Sequence, residues 1–381
     1  MMDEAWLGAS SDAEEAAALT AHLVSSRSYP GEEGAVQRAV AAWMTAQEME
    51  PTLMATEGDR PNILVRVENG PGPTLLLNGH TDTVLAVEGW SGDPWAGWRD
   101  GDRLYGLGAC DMKSGVAAIM LATRALDRRR DLWRGAVIFS AVVDEEAYSI
   151  GARALVASGI RADACVVTEA SGTSVMLGSI GKVLVRGDVT GKAAHGSEPE
   201  KGINAAVEAA RFIARVGDLP LGQHPRLEAT QTVLSFQSGN AQYVITVPEK
   251  ARFIVDRHIA PGETGESVLA EMRVLADSLA SPAHFDFAID PPYYPPWEIA
   301  PEHPYVAQVV AAWVEEHGVP PGFGYMRGLA DANYFAADLG IPTVVLGPTG
   351  ANYHQADEWV DIPSIGATTR VLLRLALKVL Q

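Results

Sequence analysis

The sequence predicts an α/β fold: a large domain on a sheet with helices on both faces, interrupted by a smaller α+β domain of ferredoxin-like order. Three observations carry this. Continuous apolar, β-branched runs alternate with helical stretches toward both ends of the chain, the pattern of strands buried in a covered sheet. In the middle the pattern changes to alternating strands in β-α-β-β-α order with a further strand after it. The chain has 381 residues, 47% of them hydrophobic, which exceeds one domain's usual share and supplies enough apolar side chains for more than one core.

Residues 13–25 and 34–47 place apolar side chains at helical spacing. Pro and Gly between Ser28 and Gly34 separate them. NILVRVE (62–68) and TLLLN (74–78) are predicted strands joined by the turn NGPGP. A helix over 112–126 follows Asp111, and AVIFSAVV (136–143) and ACVVT (164–168) read as buried strands flanking the helix GARALVASG. KVLVRGDVTG (182–191) then alternates, a helix follows at 203–216, and TQTVLSFQSG and EKARFIVDRHIA are two more strands. A helix over 264–280 and FDFAID complete the inserted unit, and the Pro-rich PPYYPP (291–296) is the expected return hinge. The predicted parts are therefore 1–179, 180–292 and 293–381, the last with a strand TVVLG (343–347) and a terminal helix near 363–380.

The formal net charge of -19 argues against nucleic acid as a partner, because phosphate binding needs Lys/Arg patches. The two cysteines, Cys110 and Cys165, form no CxxC pair, which favours a reducing compartment over a disulfide scaffold. The first residues lack the basic start and apolar stretch of a signal peptide, and no run reaches 18 apolar residues. A cytoplasmic protein without a membrane span is the expectation.

Five segments place ligand-type residues at or just after buried strands: GHTDTV (79–84), GLGACDMKSG (106–115), DEE (144–146), TEA (168–170) and NYHQADE (352–358). In open α/β sheets ligands bind at the carboxyl ends of strands. His80, Asp111, Glu145, Glu146, Glu169 and His354 are thus candidates to converge on zinc or a similar borderline ion. Each segment alone has a plainer explanation. A histidine after a strand is more often structural, an acidic pair is usually solvated, and Asp111 at a helix start suits an N-cap. Cys110 reads as buried and inert. GLGACD lacks the third glycine of a dinucleotide loop, and Asp111 would repel a pyrophosphate there. No phosphate-binding G-x-x-x-x-G-K-[ST], no HExxH and no nucleophile elbow occurs.

Taken together these segments, with GKAAHGSEPEKGINA and ADANYFAADLGIP, resemble the M20 metallopeptidase and deacylase family over nearly the whole chain. That family includes acetylornithine deacetylase, succinyl-diaminopimelate desuccinylase, aminoacylase and glutamate carboxypeptidase. The resemblance implies a zinc-binding three-layer α/β catalytic domain interrupted by a lid that often mediates homodimer formation. It implies two Zn2+ per chain, replaceable by Co2+ or Mn2+. His80 and Glu169 would hold one ion, Glu146 and His354 the other, and Asp111 would bridge both. Glu145 would be the general base and Asp82 the carboxylate that orients the His80 imidazole. A cis Asp111–Met112 bond is also implied. His195, in KAAHGS, would reach a reacting oxyanion from the lid, in the relatives from the opposite subunit; on the residues alone it reads as a histidine at a hairpin end.

Family members commonly hold a free carboxylate beside the scissile amide, for which arginine is the natural clamp. Arg257 and Arg327 are the candidates, each of which could instead be a surface ion pair. The chain departs from the family near the expected pocket. SGNAQYVITVP carries Tyr243 where an Asn is usual, with Asn240 as a possible substitute; Tyr353 precedes His354 where Ala is common; and Leu329–Ala330–Asp331 replaces T-S-D or G-T-D. The implied reaction is hydrolysis of a small N-acyl amino acid, the alternative a metallo-carboxypeptidase or dipeptidase acting on a short peptide.

Overall fold

The computed structural model describes residues 4–239, Gln242 and 245–381. These form two compact units. One holds the chain up to Gly178 together with Glu298–Gly324 and Ala330–Gln381; the other holds Ser179–Trp297 and Tyr325–Leu329.

The first unit is built on strands β1 (Asn62–Asn69), β2 (Thr74–His80), β3 (Gly135–Val142), β4 (Ala164–Val167) and β5 (Thr343–Val345), side by side in the order β1-β3-β2-β4-β5. β3, β2, β4 and β5 run parallel, and β1 lies antiparallel to β3. Every residue of β3 and β4 is buried, which is why these strands are apolar on both faces rather than alternating. Helices Ala13–Val24, Ser114–Arg128, Pro304–His317 and Ile362–Val379 pack on one another, with Ser114–Arg128 against β2 and β3. Gly34–Ala46 packs on β1, while Ile150–Ala157 and Ala332–Ala337 pack together, the latter on β4 and β5.

Parallel pairing has one consequence for function: the carboxyl ends of β2, β3, β4 and β5 emerge along the same edge. The register sets His80 beside Val142, and Asn78 and Val345 beside Val167. The residues that follow these strands are therefore delivered to one place. A small sheet at that edge, in the order Gly350–Ala351, Trp359–Asp361, Arg103–Tyr105, Trp98–Asp100, ties the loop after β5 to the segment before Asp111. The sequence did not signal it, because its strands are only two or three residues long. The predicted helix at 112–126 begins at Ser114. Asp111 and Met112 have non-helical dihedral angles, and their peptide bond is cis.

The second unit is a four-stranded antiparallel sheet in the order Thr230–Ser238, Lys250–Ile259, Gly181–Thr190, His284–Tyr294. Gly181–Thr190 alternates between buried and half-buried residues, as expected of a sheet covered on one face. Helices Ala205–Ile213 and Gly265–Ser278 pack on it around Phe212, Phe253, Phe287 and Met272. Gly187 has no substitute here, since a Cβ would lie 2.2 Å from the Phe253 ring. Of the expected hinge PPYYPP, only Pro295 and Pro296 lie outside a strand, just before the unit ends at Trp297. Pro291–Tyr294 continue the strand His284–Tyr294, whose register shifts between Asp290 and Tyr294. Proline lacks the ladder donor but is tolerated on an edge strand at such a bulge. Among the described residues no helix is long and apolar enough to cross a membrane.

Candidate metal centre

His80 is the last residue of β2 and is fully buried. Its Nδ1 lies 3.1 Å from the carbonyl oxygen of Asp82. A carbonyl can only accept, so Nδ1 carries the proton and the Nε2 lone pair points the other way. There it meets Asp111 Oδ1 at 3.2 Å, Glu169 Oε1 at 3.4 Å and Glu145 Oε2 at 3.9 Å. The Asp82 carboxylate, expected to orient the imidazole, is 3.5 Å from Nδ1. Its Oδ2 instead accepts the backbone N–H of Glu146 at 2.9 Å. Asp82 therefore steers His80 through its main chain and the Glu146 turn through its side chain.

The second oxygen of Asp111 faces the other histidine. His354 Nε2 lies 3.3 Å from Asp111 Oδ2 and 3.1 Å from Glu146 Oε1. One carboxylate thus has an imidazole at each oxygen. His80, Asp111 and Glu146 form one group able to hold an ion, and His80, Glu145 and Glu169 a second.

Lone pairs aimed at carboxylates repel unless a cation lies between them. With metal–ligand bonds of about 2.0–2.2 Å, two ligands of a tetrahedral ion lie roughly 3.3–3.6 Å apart. The N···O separations of 3.1–3.4 Å around Asp111, Glu146 and Glu169 approximate that spacing. The charge balance agrees. Burial, and then the neighbouring carboxylates, push Glu169 up to about 8 and hold Glu145 well above the ordinary carboxylate range. Hydrogen bonds that His354 donates to the Asp111 and Glu146 carboxylates raise its imidazole to about 10. Four carboxylates and two imidazoles so placed fit divalent cations, which would replace the shared protons.

The Glu145–Glu146 turn is held from beneath. Asp144, at φ 69°, accepts from Tyr148 N–H with Oδ2 at 3.1 Å and from Arg60 with Oδ1 at 2.7 Å. Arg60 also donates to the fully buried Glu33 at 2.9 Å. Sequence reading passed over both Arg60 and Glu33; they are remote in sequence from the motifs, so only folding brings them there. It also passed over Glu358, whose buried carboxylate accepts the backbone N–H groups of Gly108, Cys110 and Asp111. The only signal was its place four residues after His354. Cys110 is buried and its thiol is pushed up by burial, as an inert side chain requires.

The remaining candidates lie in the second unit. His195 is exposed; its Nδ1 accepts the Ser197 N–H at 3.2 Å and sits 2.8 Å from the Ser197 hydroxyl. That leaves the proton of the neutral ring on Nε2. Arg327 is exposed, with Glu228 at 3.4 Å. Arg257 is not available as a clamp. Its guanidinium is fully buried and donates to Glu271 and Glu263, each at 2.7 Å, and to the Pro220 carbonyl at 2.8 Å. The alternation of Lys250–Ile259 turns residue 257 toward the core, and only this acidic pair makes a buried guanidinium tolerable. Asn240 and Tyr243 lie outside the described residues.

A family model described as Peptidase family M20/M25/M40 matches residues 76–378. The chain is 28% identical over 374 residues to a succinyl-diaminopimelate desuccinylase of Paracoccus denitrificans, covering 94% of this chain and 97% of that one. Among solved structures its fold matches aminopeptidase PepT of Bacillus cereus with a TM-score of 0.79 at 22% identity, covering 98% of this chain and 100% of that one. It also matches the Bacillus subtilis YXEP protein, described as a dinuclear metal binding peptidase, with a TM-score of 0.75 at 17% identity and 99% coverage of each.

Proposed function

From the premise that this chain belongs to peptidase family M20/M25/M40, we propose that it is a two-metal hydrolase that cleaves the amide bond of an N-acyl amino acid. The observation that carries the two-metal reading is Asp111, whose two oxygens face His80 and His354 separately at 3.2 and 3.3 Å. The naming of the Paracoccus denitrificans relative as a desuccinylase supports the N-acyl class.

His80, Glu169 and Asp111 would hold one ion, and Glu146, His354 and Asp111 the other. The mixed imidazole and carboxylate set suits zinc, with cobalt or manganese as substitutes. When bound, two such ions polarise the amide carbonyl and make water acidic enough to attack at neutral pH. Glu145, 3.9 Å from His80 and outside the pairings around Asp111, takes the proton of the attacking water and passes it to the leaving nitrogen. Asp82 holds the Glu146 turn and the His80 ring. His195 contributes through Nε2, whose proton can be donated to the oxyanion of the tetrahedral intermediate. Arg327 is the candidate to clamp the substrate carboxylate.

A homodimer through the second unit completes this reading. Thr230–Ser238 is an edge strand that exposes Leu234 and Phe236, and unpaired edges are templates for pairing with another chain. The two buried unpaired cysteines fit a cytoplasmic protein.

Metal analysis of the purified protein, followed by N-acetyl, N-succinyl and dipeptide substrates with and without chelator, tests the proposal. Two ions per chain and chelator-sensitive release of a free amino acid from N-acyl substrates are expected. Turnover of dipeptides alone would move the activity to the peptidase alternative. Full activity in chelator would overturn the metal mechanism.

A further inference from the structure

We propose that Glu358 is the positioning residue for the shared ligand Asp111, so that the loop carrying His354 also sets the carboxylate common to both ions. This rests on the two-metal reading above. Glu358 is 1% exposed. Its Oε1 accepts the backbone N–H of Cys110 at 2.8 Å and of Asp111 at 2.9 Å, and its Oε2 accepts that of Gly108 at 2.8 Å. Its own carbonyl accepts the Gly106 N–H at 3.0 Å. One residue from the far end of the chain thus holds four main-chain donors of the segment Gly106–Asp111.

That segment needs an external template. Gly108 is left-handed at φ 79°, and Asp111 and Met112 are non-helical, so no regular helix turn satisfies these N–H groups. Buried main-chain donors without acceptors are costly, and a carboxylate is the strongest acceptor a protein can offer. The conformation that suits Glu358 is the one that turns Asp111 Oδ1 toward His80 and Oδ2 toward His354. The antiparallel pair Gly350–Ala351 and Trp359–Asp361 closes the loop containing both His354 and Glu358. A shift of this loop therefore moves a ligand of one ion directly and the bridge between both ions through Glu358. Ligand geometry must hold within roughly 0.5 Å for a metal site to work.

The test compares wild type, Glu358→Ala and Glu358→Gln. Metal-free protein is titrated with Zn2+ against a competing chelator, with Co2+ visible absorption as a spectroscopic readout and circular dichroism to confirm folding. Wild type is expected to take two ions. In Glu358→Ala both sites should weaken together, by roughly 10–100-fold, as outer-shell losses typically do, and the Co2+ spectrum should change. Glu358→Gln should weaken them less, because its Oε1 can still accept from Cys110 and Asp111 while its amide faces the Gly108 N–H. This variant decides the matter if Glu358→Ala does not fold. Variants that melt earlier but bind two ions with wild-type affinity would show a purely structural role and overturn the proposal. Loss confined to one ion would overturn it too, since a displaced bridge must affect both. Failure of wild type to take two ions would instead remove the two-metal reading, and the inference with it.

Discussion

Asp111, Glu145 and Glu146 are neighbours in space, yet their surroundings predict different losses on substitution. Asp111 faces two imidazoles, so Asp111→Ala should cost both ions; a variant that retains two by metal analysis would refute the bridge. Glu146 Oε1 lies 3.1 Å from His354, whereas Glu145 Oε2 lies 3.9 Å from His80. Glu145→Gln should keep its metals and lose most turnover, and Glu146→Gln should lose metal first. Near-normal kcat in Glu145→Gln would reassign the base. Arg257 gives the opposite kind of outcome. Arg257→Met would leave Glu263 and Glu271 without their partner, a loss of about 3 kcal/mol on the scale of broken buried pairs. An earlier melting transition with KM unchanged in the folded protein is expected; a raised KM at unchanged melting temperature would restore it as a substrate clamp.

Helix Ser114–Arg128 and strand β4 meet where Gly115 packs on the end of the strand. A Cβ on Gly115 would lie 2.1 Å from the Thr168 carbonyl, one residue before Glu169. Gly115→Ala must part the helix from the strand end. A stability loss of roughly 1–3 kcal/mol is expected from such overpacking, read from denaturant unfolding, together with weaker zinc binding because Glu169 moves with the strand. Unchanged zinc affinity would mean that Glu169 is not held at the site through this contact. Gly115 thus serves the close approach of two elements rather than the chemistry itself.

For the molecule as a whole, the residues proposed for the chemistry belong to different units: the proposed metal ligands and Glu145 to one, His195 and Arg327 to the other. His195→Ala should lower kcat by about 10²–10³, the usual effect of losing one oxyanion donor, with metal content and folding intact. If the histidine acts across a dimer, mixing His195→Ala with Glu145→Gln subunits should restore activity as mixed sites regain both residues. Confirmed subunit exchange without activity would assign His195 to its own chain or to no catalytic role. Leu234→Lys should make the protein monomeric in light scattering if the edge strand Thr230–Ser238 is the dimer contact; a persistent dimer would place the contact elsewhere.

The sequence by itself determined the fold class and the candidate metal ligands, because both are written in local chemistry. Continuous β-branched runs specify buried strands, and a parallel sheet must gather at one edge the residues that follow those strands. It also carried the change of pattern in the inserted unit, since a sheet covered on one face alternates. Other features depended on pairs distant in sequence, which no local pattern records. Arg257 has the alternation of any strand residue, and only the arrival of Glu263 and Glu271 makes it an interior ion pair. Glu358 lies in a run of polar residues, and only the pairing of Trp359–Asp361 with Arg103–Tyr105 carries it to the Asp111 segment. Pro291 and Pro292 look like a chain break until the edge position of their strand removes the need for the missing donors. The tertiary structure decided these because the acceptor or counter-charge that satisfies each buried group comes from another part of the fold.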